Sequence, residues 1–165
     1  MGADEGMKWG EDEARALHGR LLARGWTVAV AESLTLGRVQ VELGRRSGAS
    51  GYLVGGATCY AIEAKVRLLG VDAAHAAEVN AVSEQVAREM ACGAARIFGA
   101  CIGVATTGYA EPDPVRGVAE PFAWVAAARG EDVRARRVDG PGLGREAMQA
   151  RAAAEALRLL AELVG

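Results

Sequence analysis

The chain has 165 residues, 51% of them hydrophobic and 24% charged, with a formal net charge of -2. That length and composition suit one globular domain with a real core. The near balance of charge removes any electrostatic case for nucleic acid or an anionic membrane as partner. Aromatic residues make up only 5% of the chain, so the core must be built from Ala, Val and Leu.

Three cysteines, Cys59, Cys92 and Cys101, have no CxxC or metal-like spacing. Cys59 and Cys101 sit in apolar, strand-like runs and are expected as buried, reduced thiols. Two histidines, His18 and His75, are too few and too far apart for a metal site. No apolar run reaches the roughly 18 residues of a membrane span. The acidic, Gly-rich start lacks the basic-then-apolar pattern of a secretory leader. A soluble, cytoplasmic protein is the expectation.

Residues 1–10 have no periodicity and read as a loose lead-in, with a single domain over 11–165. Residues 11–24 form a helix: its start is acidic (Glu11, Asp12, Glu13), its end basic (Arg20, Arg24), and Gly25 stops it. Residues 27–31 read as a short buried strand, followed by a helix over about 35–45. Residues 48–51 are a turn. Residues 52–60 read as a strand in which Gly55 and Gly56 predict a bulge or a close backbone approach. A short helix follows over 61–69.

Residues 71–81 look like a connection. Ser83, with Glu84 behind it, opens a new helix whose buried face is Val86, Met90, Ala94 and Ile97. Residues 101–107 are a buried strand. Residues 109–120 hold Pro112, Pro114 and Gly117 and read as a loop. Residues 121–128 and 133–138 form a hairpin. The last helix starts near Arg145, with Ala150, Ala153, Leu157, Leu160 and Val164 inward and Arg151, Glu155, Arg158 and Glu162 opposite at ion-pair spacing. The alternation predicts an α/β fold, a three-layer α/β/α sandwich whose mixed sheet is mostly parallel. The arginines of the last third (Arg129, Arg134, Arg136, Arg137, Arg145) are interspersed with acids and read as a solvated surface.

Open α/β sheets bind ligands at the carboxyl ends of their strands. Three candidate stretches fall there: Glu32-Ser33-Leu34-Thr35, Tyr60 through Lys65, and Thr106-Thr107-Gly108. Each has a plain structural reading as well, as a helix cap, a surface lysine beside a strand-end tyrosine, or a strand stop. Their convergence on one crevice is what favours function. A serine beside a lysine held neutral by burial is a workable nucleophile and base. The helix start after Ser33 is expected to supply N–H donors for an oxyanion.

At these residues the chain resembles the C-terminal domain of the CinA family, the nicotinamide mononucleotide amidohydrolases. The similar segments are AESLT (31–35), Tyr60 with EAKVRLLGV (63–71), AVSEQVAREMACGA (81–94), VATTGYA (104–110) and the Arg145 helix. The resemblance implies hydrolysis of the carboxamide of nicotinamide mononucleotide, giving nicotinic acid mononucleotide and ammonia. It makes Ser33 the nucleophile, Lys65 the base and Tyr60 a helper that holds or relays the proton. It places Glu32, Thr35, Thr107 and Gly108 around the substrate, with Arg145 meeting the phosphate. It implies a small-molecule partner, a pyridine mononucleotide, with no metal and no cofactor. It also suggests a homo-oligomer, for which the Ala-rich final helix is either a contact face or a buried element.

Departures from the family pattern cluster at the expected pocket. The family's Cys-Thr-Gly-Gly run after the serine is Leu34-Thr35-Leu36-Gly37 here, so a leucine is expected to obstruct close approach. Ala61-Ile62 replaces a Ser-Asn-type pair. Glu111-Pro112-Asp113-Pro114 replaces a glycine-rich loop, putting two carboxylates and two prolines without N–H beside the expected phosphate. Gln149 stands where the family has a second arginine. Such clustering fits a paralogue with altered substrate, or one that has lost activity and only binds a nucleotide-like ligand.

Overall fold

The computed structural model describes residues 9–165 of the chain. Helix α1 (Glu11–Arg24) leads into strand β1 (Val28–Glu32) and helix α2 (Arg38–Gly44). Strand β2 (Leu53–Thr58) is followed by helices α3 (Ile62–Leu69), α4 (Ala73–Glu78) and α5 (Glu84–Phe98). Strands β3 (Ile102–Tyr109), β4 (Phe122–Arg129) and β5 (Asp132–Asp139) precede the closing helix α6 (Arg145–Val164). The sheet order is β2-β1-β3-β4-β5. β1 pairs parallel with both β2 and β3, and β4 runs antiparallel between β3 and β5. Four of the five strands therefore point the same way, which places the ends of β1, β2 and β3 along one edge.

The two faces of the sheet are packed differently. Val28 and Val30, Ile102 and Val104, and Val125 meet α1, α2 and α6 through Leu17, Leu21, Leu43, Leu157 and Leu160. The opposite face is small: Ala29, Ala31, Ala105, Ala126 and Ala128 lie under α5, with Met90, Ala91 and Ala94 above them. A Cβ on Gly103 would stand 1.8 Å from the Ala91 carbonyl oxygen, and one on Gly93 would stand 2.2 Å from that of Leu69. These glycines let α5 lie against β3 and α3 backbone to backbone, closer than any side chain would permit. Ala152, Ala153, Ala154 and Ala156 of α6 are buried, Ala152 and Ala156 fully, whereas Ala150, expected inward, is exposed.

Several expected boundaries shift for local reasons. Of the expected lead-in, residues 1–8 lie outside the described residues. Trp9 packs on the core, and Gly10 caps α1, its amide donating to Glu13 Oε2 at 2.9 Å. The stretch 71–81, read as a connection, contains α4, capped by Asp72, whose Oδ1 accepts from the His75 amide at 2.7 Å. β3 runs two residues past Thr107, to Tyr109, because β4 continues to pair with it. The proline-rich loop is partly ordered: Asp113 bridges to Val118 around a 3-10 turn at Pro114–Arg116.

The expected bulge in β2 falls at Val54: Val28 pairs with Leu53 and Ala29 with Gly55. Gly55 and Gly56 then leave room for the Phe98 ring and the Gln40 side chain. Cys59 is buried as expected, but Cys101 is exposed, because it precedes β3 at the sheet's rim. The arginines of the last third pair off as read: Arg134 with Asp132, Arg136 with Glu155 and Glu162, Arg137 with Asp139. Arg129 instead stacks on Trp26, 3.8 Å from the ring centroid. Among the described residues no helix is long and apolar enough to cross a membrane.

Candidate active site

A cavity of about 430 Å³ opens at the carboxyl edge of the sheet, where β1, β2 and β3 end. Ser33, Tyr60, Lys65, Thr107, Gly108 and Arg145 all line it. Strand geometry explains the convergence: Ser33 is the first residue after β1, Tyr60 lies two beyond β2, and Thr107 is near the end of β3. The crevice at this edge is the usual ligand site of such a sheet.

Ser33 is 5% exposed, held by its amide, which donates to the carbonyl of Thr106 at 3.1 Å and to Thr106 Oγ1 at 3.3 Å. Lys65 sits one turn into α3 and is only 4% exposed. Its Nζ donates to the Tyr60 carbonyl at 3.1 Å. Burial pushes its pKa below the ordinary lysine value of 10.5, only partly offset by the Cys59 thiol nearby. Burial likewise raises the pKa of that thiol, against the pull of Lys65. No hydrogen bond joins Lys65 Nζ to Ser33 Oγ; in this state the amine is directed to the backbone.

Glu32 and Thr35 take a different part from the one expected. Both are fully buried and neither lines the cavity. Glu32 Oε2 accepts from Thr35 Oγ1 at 2.5 Å and from the amides of Gly37 and Val39; Oε1 accepts from the Gln40 amide and Nε2. Its carboxylate thus fills the start of α2, a place that favours negative charge. The N–H groups expected to face an oxyanion are consumed by it. The turn before the helix is different: the Leu34 and Thr35 amides donate to no group among the described residues, and Leu34 lines the cavity.

Thr107 Oγ1 donates to the Ala81 carbonyl at 2.7 Å, so it braces the cavity wall. Gly108 is glycine because a Cβ would strike the β4 backbone, 2.5 Å from the Phe122 carbonyl oxygen. Arg145, the first residue of α6, spans the mouth: Nη1 pairs with Glu111 Oε1 at 2.8 Å and Nη2 donates to Tyr60 Oη at 3.0 Å. Those two partners raise its pKa, Tyr60 foremost. Asp113 is likewise engaged, with Arg116 at 2.9 Å.

Three expectations about the pocket change. Leu36 does not obstruct it: the side chain is 52% exposed and faces a separate depression beside Trp9 and Val41. Its φ of 51° is left-handed, which explains why glycine suits that position. Gln149 lies outside the cavity, buried on α6, where its Oε1 accepts from Arg38 at 3.1 Å. Asn80, which sequence reasoning left inside a connection, lines the cavity with φ 52°, followed by Ala81 at φ 55°. Its Nδ2 donates to Tyr109 Oη at 3.1 Å. Strained backbone of this kind collects at functional sites, but only the tertiary fold brings residue 80 to the sheet edge.

A model of the CinA C-terminal domain matches residues 11–164. The chain belongs to the CinA C-terminal domain family. It is 53% identical over 91 residues to a "CinA-like protein" of Mycobacterium sp. (strain JLS), covering 55% of this chain and 22% of that protein. It is 41% identical over 122 residues to a "Putative competence-damage inducible protein" of Desulforamulus reducens, covering 74% of this chain and 30% of that one. The chain thus spans less than a third of these curated relatives' length.

Among solved structures, a CinA superfamily protein from Klebsiella pneumoniae 700603 superposes with a TM-score of 0.86 at 30% identity, over 93% of this chain and 96% of the other. A competence or damage-inducible protein from Enterobacter asburiae gives 0.87 at 27% identity, over 93% and 97%. The mixed five-stranded sheet with helices on both faces is the fold of this CinA family.

Proposed function

We propose that this CinA-family domain hydrolyses a carboxamide on a pyridine nucleotide or a close relative, by a serine/lysine mechanism. The observation that carries this reading is Lys65: a lysine 4% exposed, pushed toward its neutral form, lining the same cavity as Ser33. A structural lysine at such a depth would normally be paired with a carboxylate. Lys65 has a backbone carbonyl instead, so no carboxylate offsets the burial that lowers its pKa.

The steps follow from that placement. Ser33 Oγ attacks the amide carbon while neutral Lys65 takes its proton, which requires Lys65 to turn from the Tyr60 carbonyl. The Leu34 amide, left unbonded by the turn on a residue that lines the cavity, is the donor available to the developing oxyanion. The Lys65 ammonium returns the proton to the departing nitrogen, releasing ammonia and leaving an ester on Ser33. Water activated by Lys65 then cleaves the ester to the carboxylic acid and regenerates the serine. Tyr60, whose carbonyl holds Nζ, sets where the amine waits.

Ammonia release from nicotinamide mononucleotide and from its phosphate-free nucleoside tests the reading, with Ser33→Ala as control. Wild type is expected to release ammonia from at least one of them and Ser33→Ala to lose roughly 10³-fold or more. No release from either by the wild type refutes it.

A further inference from the structure

We propose that the mouth of this cavity selects a carboxamide whose outer end is neutral or cationic and carries no phosphate, with Glu111 as the specificity-determining residue. The inference rests on the amide-hydrolase reading for what happens at Ser33, but its own subject is the charge of the ligand.

The charged residues lining the cavity are Lys65, Glu111, Asp113 and Arg145. Lys65 is at the buried end, where burial favours its uncharged form. At the mouth, Arg145 is the cation an anionic ligand would seek. One N–H of Nη1 is engaged by Glu111 Oε1 at 2.8 Å and one of Nη2 by Tyr60 Oη at 3.0 Å, so any anion that reaches this guanidinium shares it with a carboxylate. A phosphate reaching Arg145, whether it displaces Glu111 or binds alongside it, would lie next to that carboxylate. The pair is exposed, 44% for Arg145 and 61% for Glu111, so the ion pair itself is weak. The exclusion comes from the like charge of Glu111 beside the phosphate; solvent screens that repulsion too, so it is expected to be modest and to fade with added salt.

The rest of the loop adds no compensation. Asp113 brings a second carboxylate, balanced by its own partner Arg116 at 2.9 Å. Taken together, Arg145, Glu111, Arg116 and Asp113 sum to zero. Pro112 and Pro114 flank Asp113 and have no N–H to offer a phosphate oxygen. A neutral or cationic outer group suits this mouth: the carboxylates and the rings of Tyr60 and Tyr109 that line it both attract positive charge.

The test is calorimetric binding to the whole chain, at fixed low ionic strength, of nicotinamide mononucleotide, the phosphate-free nucleoside and inorganic phosphate. The ammonia assay is run beside it. Wild type is expected to bind the nucleoside roughly tenfold more tightly than the mononucleotide, a difference of about 1.4 kcal/mol. Inorganic phosphate at millimolar concentration is expected to leave the melting temperature unmoved. Glu111→Gln, at an exposed position that should not disturb folding, is expected to narrow or invert the preference.

Equal or tighter binding of the mononucleotide to wild type overturns the proposal, as does binding of neither compound or an unchanged ratio in Glu111→Gln. The two readings fail separately. Selective binding of the nucleoside without ammonia release supports the charge selection and refutes the hydrolase. Faster release from the mononucleotide supports the hydrolase and overturns the charge selection.

Discussion

Two buried charged residues at the start of the site have opposite consequences. Glu32 is fully satisfied, with three backbone amides and two side-chain donors on its carboxylate. Glu32→Ala would strand those amides in the interior and is expected to destabilise the domain by about 3–5 kcal/mol, read by urea titration. Lys65 is the reverse: its burial opposes folding. Lys65→Met is expected to abolish ammonia release while raising stability by about 1 kcal/mol at pH 7.

The sign of the pH dependence follows. The folded-state pKa of Lys65 lies below the ordinary 10.5, so between the two values the unfolded chain binds the extra proton. Wild-type stability from this group therefore rises with pH through that window, and the advantage of Lys65→Met shrinks accordingly. Amide hydrolysis, which needs the neutral amine, is expected to rise with pH through the same lowered pKa and then level off. A rate that falls over that range would remove Lys65 as base.

At the scale of elements, what was legible in the sequence was periodicity and punctuation. The strand before Ser33, the Ser83 cap of α5 and the Gly25 stop of α1 all stand where the residues put them. What was not legible depends on contacts between distant segments. The start of α2 moves to Arg38 because Glu32 reaches forward to its amides, and α4, six residues of which four are alanine, is too short and too uniform to show a helical period. Gly103 is another such case. In the sequence it is a weak point in a strand; in the fold it is the seat of α5, with the Ala91 carbonyl where its Cβ would be. Gly103→Ala is expected to cost about 2–3 kcal/mol in a thermal or denaturant melt, because backbone rather than a flexible side chain must yield.

For the whole molecule, the direction of the strands decides where chemistry can happen. Because β1, β2 and β3 run together, three segments separated by tens of residues deliver Ser33, Lys65 and Thr107 to one cavity. That convergence was legible from the order of elements. The wiring around it was not: Glu32 and Thr35 hold α2, Arg145 bridges to Glu111, and Asn80 arrives from across the fold. Partners as distant as Arg145 and Glu111, 34 residues apart, leave no trace in spacing, and the local Glu32–Thr35 pair does not reveal which way its oxygens face.

The outermost strands bear on crowding. β5 carries three arginines and two aspartates in eight residues, and β2 is interrupted by an extra residue at Val54 before two glycines. Charge on one rim and a kink on the other make poor templates for another chain's ribbon. Between two copies of this domain in concentrated solution, annealing of one sheet onto the next is therefore discouraged at both margins.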